Sequence, residues 1–467
     1  MATTIIQDYV LFVNGRILSA TESGLEGRAT FAESMFIHNG IITAIGPQDE
    51  LSKTYQCDGV TTYDLGQKTV LPSFIDGHMH LLLTGQALQK LPLVDSRSFE
   101  ELREKLRSYA KANPDVPRIL ANGWMQVLTP NGVTAAMLDD IDPRPIFIDA
   151  LDHHSMWCSS AALAELGIAG MADPEGGKIH RDDQGNPSGL LSENAALSIG
   201  WTHLSSVASK EDFKNYMAAA LEAYTASGYA GIIEMAMDEI AWDTLIDMYA
   251  EHPDLPMRIA AYWLIRPAET EAAHISQVKR AIELSQKFNK ESTPKLRIVG
   301  IKIIVDGVTE SCTAYLSEPY ANSQVAAPIW TREQLDPVVK TAVAGGLQIA
   351  LHAIGDAAVS SAVQTLELNA QPGGRHRIEH LELVSPEDAK RLGELGITAS
   401  IQPIHADPYL LRDWSRLLNE HQRSRGYAWH GKGAYKMVVV DGQIITGQNP
   451  ASAHGVGVAL ATTAIGL

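Results

Sequence analysis

From about residue 71 the chain repeats one unit: a short apolar strand, an amphipathic helix and a glycine stop. Strand candidates fall near residues 71–77, 230–235, 259–264, 297–305, 347–352, 376–380 and 397–402. Ser209 with Asp212 opens a helix whose Phe213, Met217, Leu221 and Tyr224 share a face, and Gly228 ends it. Thr331 and Gln334 open another ahead of Leu335, Val338, Val339 and Ala342, with Gly345-Gly346 closing it before the strand LQIALHAIGD. Strands joined through helices pair in parallel. Seven successive units predict a closed (β/α)8 TIM-type barrel rather than an open doubly wound sheet. No GxGxxG follows an early strand, which argues against a dinucleotide fold.

Three stretches depart from the repeat. Residues 1–70 read as a small β-sheet domain, with Asn14-Gly15 and Asn39-Gly40 as hairpin signals. Residues 81–200, rich in Gly, Pro, Asp and His, read as an elaborated connection within a barrel spanning 71–435. Residues 436–467 form an atypical tail.

Composition removes several classes of function. With 55 acidic and 37 basic residues the 467-residue chain carries a formal charge of −18, which argues against binding nucleic acid or anionic lipid. Cys57, Cys158 and Cys312 are scattered, which suits neither a disulfide framework nor a cysteine zinc site. The start MATTIIQDYVLF lacks a basic n-region, and no apolar run reaches the roughly 18 residues of a spanning helix. The expectation is a cytoplasmic protein acting on a small-molecule substrate.

Histidine carries the chemistry. Asp76-Gly77-His78-Met79-His80 ends an apolar strand, where residues i and i+2 share a face, so His78 and His80 aim together from the rim where barrels place their sites. Two parallel imidazoles make half of a metal site. In LQIALHAIGD, Leu347, Ile349 and Leu351 occupy one face and Gln348, Ala350 and His352 the other, which puts His352 toward the lumen. His376, Ile378 and His380 share a face of RHRIEHL and deliver His380 to another strand end. Each alone is more often a structural histidine; together with His78 and His80 they suggest a cluster. Lys302 sits inside the apolar run RIVGIKIIVDG, where an unpaired ammonium is expensive. Such a lysine can take up CO2 as an anionic carbamate, form a Schiff base, or pair with Asp306 or Glu310.

These motifs resemble the amidohydrolase superfamily, specifically its YtcJ-like branch, amidohydrolase family 3. The resemblance rests on LPSFIDGHMHLL, NGW at 122–124, DHHSMWCSSAAL, GGKIHRDDQGNPSGLLSE, VGIKIIVDG, LHAIGDAAV, RHRIEHLELVSPEDAKRL and ASIQPIH, in the family's order from about residue 8 to 430. It implies a metal-bearing barrel with a small β-sandwich. His78 and His80 match the first-strand ligands, carbamylated Lys302 the bridging ligand, and His352 and His380 the fifth- and sixth-strand ligands. Two divalent cations, zinc being the natural choice and iron or manganese compatible, would share a bridging hydroxide that attacks an amide or a cyclic or N-acylated amine. Trp124 and His154 match positions that line the substrate pocket, and Glu379 matches an orienter of the ligands.

The tail breaks the pattern. The resemblance implies an eighth strand ending in a catalytic aspartate, but after YAWHGKGA the sequence reads YKMVVVDGQIITGQNPASAHGVGVALATTAIGL. Residues 436–460 instead resemble the end of the PfpI-like family, although no nucleophile-elbow cysteine precedes them. Asp441 is the carboxylate nearest the required place, either closing KMVVVD as an eighth strand or turning a hairpin between MVVV and QIIT. His405 is the fallback general base. If neither serves, the barrel binds metal or ligand with little turnover, and its open edge invites homo-oligomerisation.

Overall fold

The computed structural model describes residues 9–19, 30–55, 58–151, 155–174, 177–255, 257–370, 373–406, 411, 414–427, 439–440 and 443–444. At its centre seven strands form one sheet: β1 (Phe74–Met79), β2 (Tyr229–Met237), β3 (Arg258–Leu264), β4 (Leu296–Ile304), β5 (Gln348–Ala353), β6 (Arg377–His380) and β7 (Thr398–Ser400). Their order follows the chain, and every neighbouring pair is parallel. This is an incomplete TIM-type barrel.

Period-2 alternation divides its two faces. Ile259, Ile301, Ile349 and Ile378 point outward into one continuous core with helix residues such as Leu221, Trp242, Val338, Val359 and Leu392. Met235, Tyr262 and Ala350 form a separate inner cluster with Ile233 and Val299. The helices begin where their caps specify: Ser209 and Thr331 each make both halves of a capping box, opening Lys210–Ala226 and Arg332–Ala344. Gly85 brings the helix Leu81–Gln89 against Lys210–Ala226, since a Cβ there would meet the Tyr216 carbonyl oxygen at 1.8 Å.

Among the described residues no strand pairs with the free edges of β1 and β7. An arginine spans that seam from inside. Arg377 on β6 donates to the Gly77 carbonyl of β1 and to the Ser400 hydroxyl of β7, both at 2.7 Å. The tail strands Val439–Val440 and Gln443–Ile444 pair antiparallel with each other, in a sheet of their own. That arrangement matches the hairpin expectation and not an eighth barrel strand: two short flanks pair locally without any crossover. Asp441 lies outside the described residues.

The N-terminal residues form two small sheets. One runs Ile41–Gly46, Ser34–His38, Tyr9–Val13, Val60–Asp64; the other runs Thr30–Ala32, Arg16–Ser19, Thr69–Val70. Asn39-Gly40 joins an antiparallel pair as expected. Asn14-Gly15 does not: the strands on either side of it belong to different sheets. The left-handed φ of 52° at Asn14 turns a corner, fixed by its amide donating to Asp64 at 2.7 Å. An Asn-Gly pair encodes the local bend, not the pairing of its flanks.

The 81–200 connection is more regular than its sequence suggests. It builds a six-stranded mixed sheet in the order Gly177–Arg181, Pro187–Glu193, Ser155–Cys158, Ile146–Ala150, Ile119–Trp124, Leu91–Pro92. Separate apolar clusters cover this sheet, so its central strands are buried on both faces and show no alternation to read. No helix among the described residues is long and apolar enough to cross a membrane.

Candidate metal centre

Parallel barrel strands deliver their C-terminal ends to one rim. His78 near the end of β1 and His80 just beyond it have ring centroids 5.3 Å apart. His78 lies 4.9 Å from His380 of β6, His380 lies 4.4 Å from His352 of β5, and His405, beyond β7, stacks on His380 at 5.2 Å. Residues more than 300 positions apart thus form one chain of five imidazoles. Lys302, 2% exposed on β4, acts electrostatically on His78, His80, His352 and His380.

His380 reaches the cluster by a route that simple alternation does not give. On β6 it is Arg377 and Glu379 that face the lumen, while Ile378 packs outward with the helices. His376 likewise turns away, its Nδ1 accepting the Ile349 amide at 3.1 Å. A shared face would therefore send His380 outward too. Instead its φ is +74°, and that of Leu381 is +53°. Left-handed backbone at two non-glycine residues swings the ring inward and stores strain at the site.

Hydrogen bonding fixes how the rings present their nitrogens. Glu379 Oε2 lies 2.6 Å from His78 Nδ1, and Arg377 donates to both carboxylate oxygens. Burial alone raises the Glu379 carboxyl, but Arg377 and His78 outweigh it and hold the group well below the usual range. An ionised carboxylate only accepts, so His78 carries its proton on Nδ1 and presents the bare lone pair of Nε2. Burial and then Lys302 hold His78 well below the ordinary imidazole value; the same causes bring His80 to about 4 and His352 to about 3. Burial and then His352 do so for His380. Neutral imidazole is the form that ligates metals.

The donor set fits a metal. His78 Nε2 and His380 Nδ1 are both buried without any hydrogen-bond partner. Such orphaned atoms are uncommon unless an ion or water meets them. Among the described residues no three His, Cys, Asp or Glu side chains close on a common point, so the rings share the rim without forming a finished coordination shell.

Lys302 has no ion-pair partner among the described residues, which removes the proposed pairing with Asp306 or Glu310. The Asp306 carboxylate takes the amides of Tyr315, Ile354 and Gly355 at 2.8–3.0 Å, and Glu310 accepts from Trp414 at 2.9 Å. Burial lowers the Lys302 ammonium to about 8, with Glu379 opposing.

Other sequence candidates are placed differently. Trp124 is 2% exposed in the core of the inserted sheet, 5.3 Å from Trp157, with its indole donating to Thr129. An apolar ring at the end of a central strand is packed by its own layer, and Trp124 does not join the histidine cluster. His154 lies outside the described residues. A cavity of about 690 Å3 lined by Tyr315, Trp330, Arg332, Asp356 and Arg425 contains none of the five histidines. Sequence reasoning missed Glu382, whose Oε1 lies 2.8 Å from His405 Nδ1, and Glu234, a buried carboxylate beside His80. A lone acid inside the apolar strand YAGIIEMAM is the same signal that exposed Lys302.

Comparison with known proteins shows the family. The chain is 28% identical over 411 residues to Protein LONG AFTER FAR-RED 3 of Arabidopsis thaliana, covering 85% of this chain and 68% of that protein. It is 26% identical over 380 residues to the YtcJ protein of Bacillus subtilis, covering 79% and 69%. It is 23% identical over 424 residues to an N-substituted formamide deformylase of Arthrobacter pascens, covering 86% and 74%. An uncharacterized metal-dependent hydrolase from Pyrococcus furiosus superposes with a TM-score of 0.72 at 25% identity, over 90% of this chain and 82% of that one. The amidohydrolase family model matches residues 61–439, and the chain belongs to that family.

Proposed function

We propose that this protein is a metal-dependent hydrolase of a carbon–nitrogen bond other than a peptide bond, in an amide or a cyclic or N-acylated amine. The observation that carries this reading is the chain of imidazoles around Lys302, with two buried ring nitrogens left unpartnered. His78, His80, His352 and His380 would hold divalent metal, two zinc ions being the natural content, with Lys302 joining as a carbamate. When bound, that group supplies Lewis acidity toward a carbonyl oxygen and lowers the pKa of water toward neutrality.

The chain's own residues do the rest. Glu379 holds His78 in the ligating tautomer. Glu382 accepts a hydrogen bond from the Nδ1–H of His405, leaving Nε2 free to accept a proton from water and return it to the leaving nitrogen. The name of the Arthrobacter pascens relative favours a small N-acyl amine as substrate class.

Elemental analysis of the purified chain, followed by assay on N-formyl and N-acyl amines, tests this. Stoichiometric divalent metal and metal-dependent turnover are expected, with both lost on replacing His78 and His80 together. A metal-loaded preparation that retains no divalent ion overturns the ligand assignment.

A second reading is a barrel that binds metal or ligand with impaired turnover. It is favoured by the tail strands pairing with each other instead of with β1 or β7. Full metal occupancy without hydrolysis of any N-acyl amine would select it.

A further inference from the structure

We propose that Glu234 is the positioning residue for His80, the counterpart on β2 of what Glu379 is for His78. The inference rests on the metal reading above and concerns a residue outside the ligand set.

Glu234 is 4% exposed near the end of β2. Its Oε2 accepts the Leu81 amide at 2.5 Å, its Oε1 accepts the Ala236 amide at 3.1 Å, and Oε1 lies 3.8 Å from His80 Nδ1. These contacts meet where His80 needs support. His80 occupies the cap position of the helix Leu81–Gln89, makes no side-chain cap bond, and no acidic residue stands in that helix's first turn. Glu234 supplies from the neighbouring strand the carboxylate that a helix start ordinarily takes from its own sequence. The His80 side chain is 38% exposed, against 5% for His78.

The backbone explains how Glu234 gets there. Ile233 and Met235 belong to the inner cluster, so strict alternation would turn Glu234 outward. The register of β2 shifts on both sides of it, against β1 between Ile232 and Glu234 and against β3 between Glu234 and Met237. Irregularities of this kind re-aim a side chain and recur beside active sites. Both histidines thus have a carboxyl group from another strand beside them: Glu379 of β6 meets His78 at 2.6 Å, and Glu234 of β2 lies 3.8 Å from His80. An ionised Glu234 hydrogen-bonded to His80 would hold the proton on Nδ1 and leave Nε2 for a metal, and cations bound at the rim would favour that ionised form.

Zinc affinity, measured by chelator competition on wild type, E234Q, H80A and the double variant, tests the proposal. E234Q is expected to bind zinc 10–100-fold more weakly, the usual loss when such a support is removed. The melting temperature of its metal-free form should fall modestly, since an amide nitrogen cannot accept the backbone N–H that the second carboxylate oxygen held, while its far-ultraviolet dichroism stays unchanged and the visible spectrum of its cobalt-loaded form shifts. In the H80A background E234Q is expected to add no further loss, because Glu234 acts through His80. Equal affinity of wild type and E234Q, or fully additive losses, overturns the role of Glu234 and leaves the metal reading standing. Failure of the wild type to bind zinc overturns both. If E234Q does not fold, E234D carries the same comparison, keeping the charge while shortening the reach.

Discussion

Glu379 Oε2 and His78 Nδ1 stand 2.6 Å apart across the lumen, joining β6 to β1 through two buried side chains. Arg377 completes the unit by donating to the same carboxylate. One carboxylate therefore serves a ligand on one side and a buried cation on the other. Replacing Glu379 with Gln should separate these duties. Zinc affinity is expected to fall about 10–100-fold, because an amide no longer fixes the His78 tautomer. The metal-free chain should also lose about 3–5 kcal/mol, because Arg377 is left as an uncompensated buried charge. Chelator competition and urea unfolding measure the two effects separately; a variant that keeps wild-type zinc affinity would remove Glu379 from the ligand-orienting role.

Arg377 makes a different prediction, about closure. It links β1 and β7 through Gly77 and Ser400 where no described strand bridges them. A lysine ammonium is a single point and cannot reproduce the planar fork that meets a carboxylate, a carbonyl and a hydroxyl together. R377K should therefore lose nearly as much stability as R377A, about 3 kcal/mol or more in each case. Hydrogen exchange should rise most at the amides of β1 and β7. Exchange that rises evenly over the sheet would show that the arginine serves charge balance alone.

Lys302 bears on carbon dioxide. Burial brings its ammonium down to about 8, so at pH 7 roughly a tenth is already the free amine, the form that adds CO2. Metal uptake by the metal-free chain should accelerate with added bicarbonate and climb as pH rises through about 8. K302A should take up little metal under any condition, and K302R should behave the same way, because guanidinium does not form the carbamate. Intact-mass measurement under native conditions should show one carbon dioxide added to the wild type and none to either variant. Uptake indifferent to bicarbonate would leave Lys302 as an unmodified amine.

Much of this arrangement was legible in the sequence, and the gaps have physical causes. The seven strands, both capping boxes, the shared aim of His78 and His80 and the lumen face of His352 follow from periods of 2 and 3.6 in a regular backbone. His380 was named for the wrong reason. Its alternation points outward, and only a left-handed φ brings the ring in, which no non-glycine sequence announces. Glu234 was missed for the same reason: a register shift re-aims it. The inserted sheet escaped notice because strands covered on both faces lack alternation. Trp124 sits in a matched motif, yet the layer around it packs it as core. Regular backbone can be read from pattern, whereas the irregular backbone that builds sites cannot.

The buried groups around the site predict how the metal-free chain responds to pH. Burial raises Glu234 from its ordinary 4.5 to about 8 and Asp306 from 3.8 to about 7. A carboxyl whose folded value is raised contributes stability that is present at low pH and lost as pH climbs through the folded value. His80 and His352 work the other way. Lowered from 6.5 to about 4 and about 3, they favour the folded state above 6.5 and lose that contribution below it. The two effects oppose each other under acid conditions, but between pH 6.5 and 8 only the carboxyls change. Stability of the metal-free chain should therefore fall across that window, by something on the order of 2 kcal/mol. Above pH 8 it should recover in part, since Lys302 loses its proton in the folded chain before the unfolded one does. Bound zinc offsets the carboxylate charge and should flatten the fall. Urea midpoints between pH 5 and 9, with and without zinc, measure this. A metal-free midpoint that rises steadily from 6.5 to 8 would mean that Glu234 and Asp306 already carry their charge at no penalty.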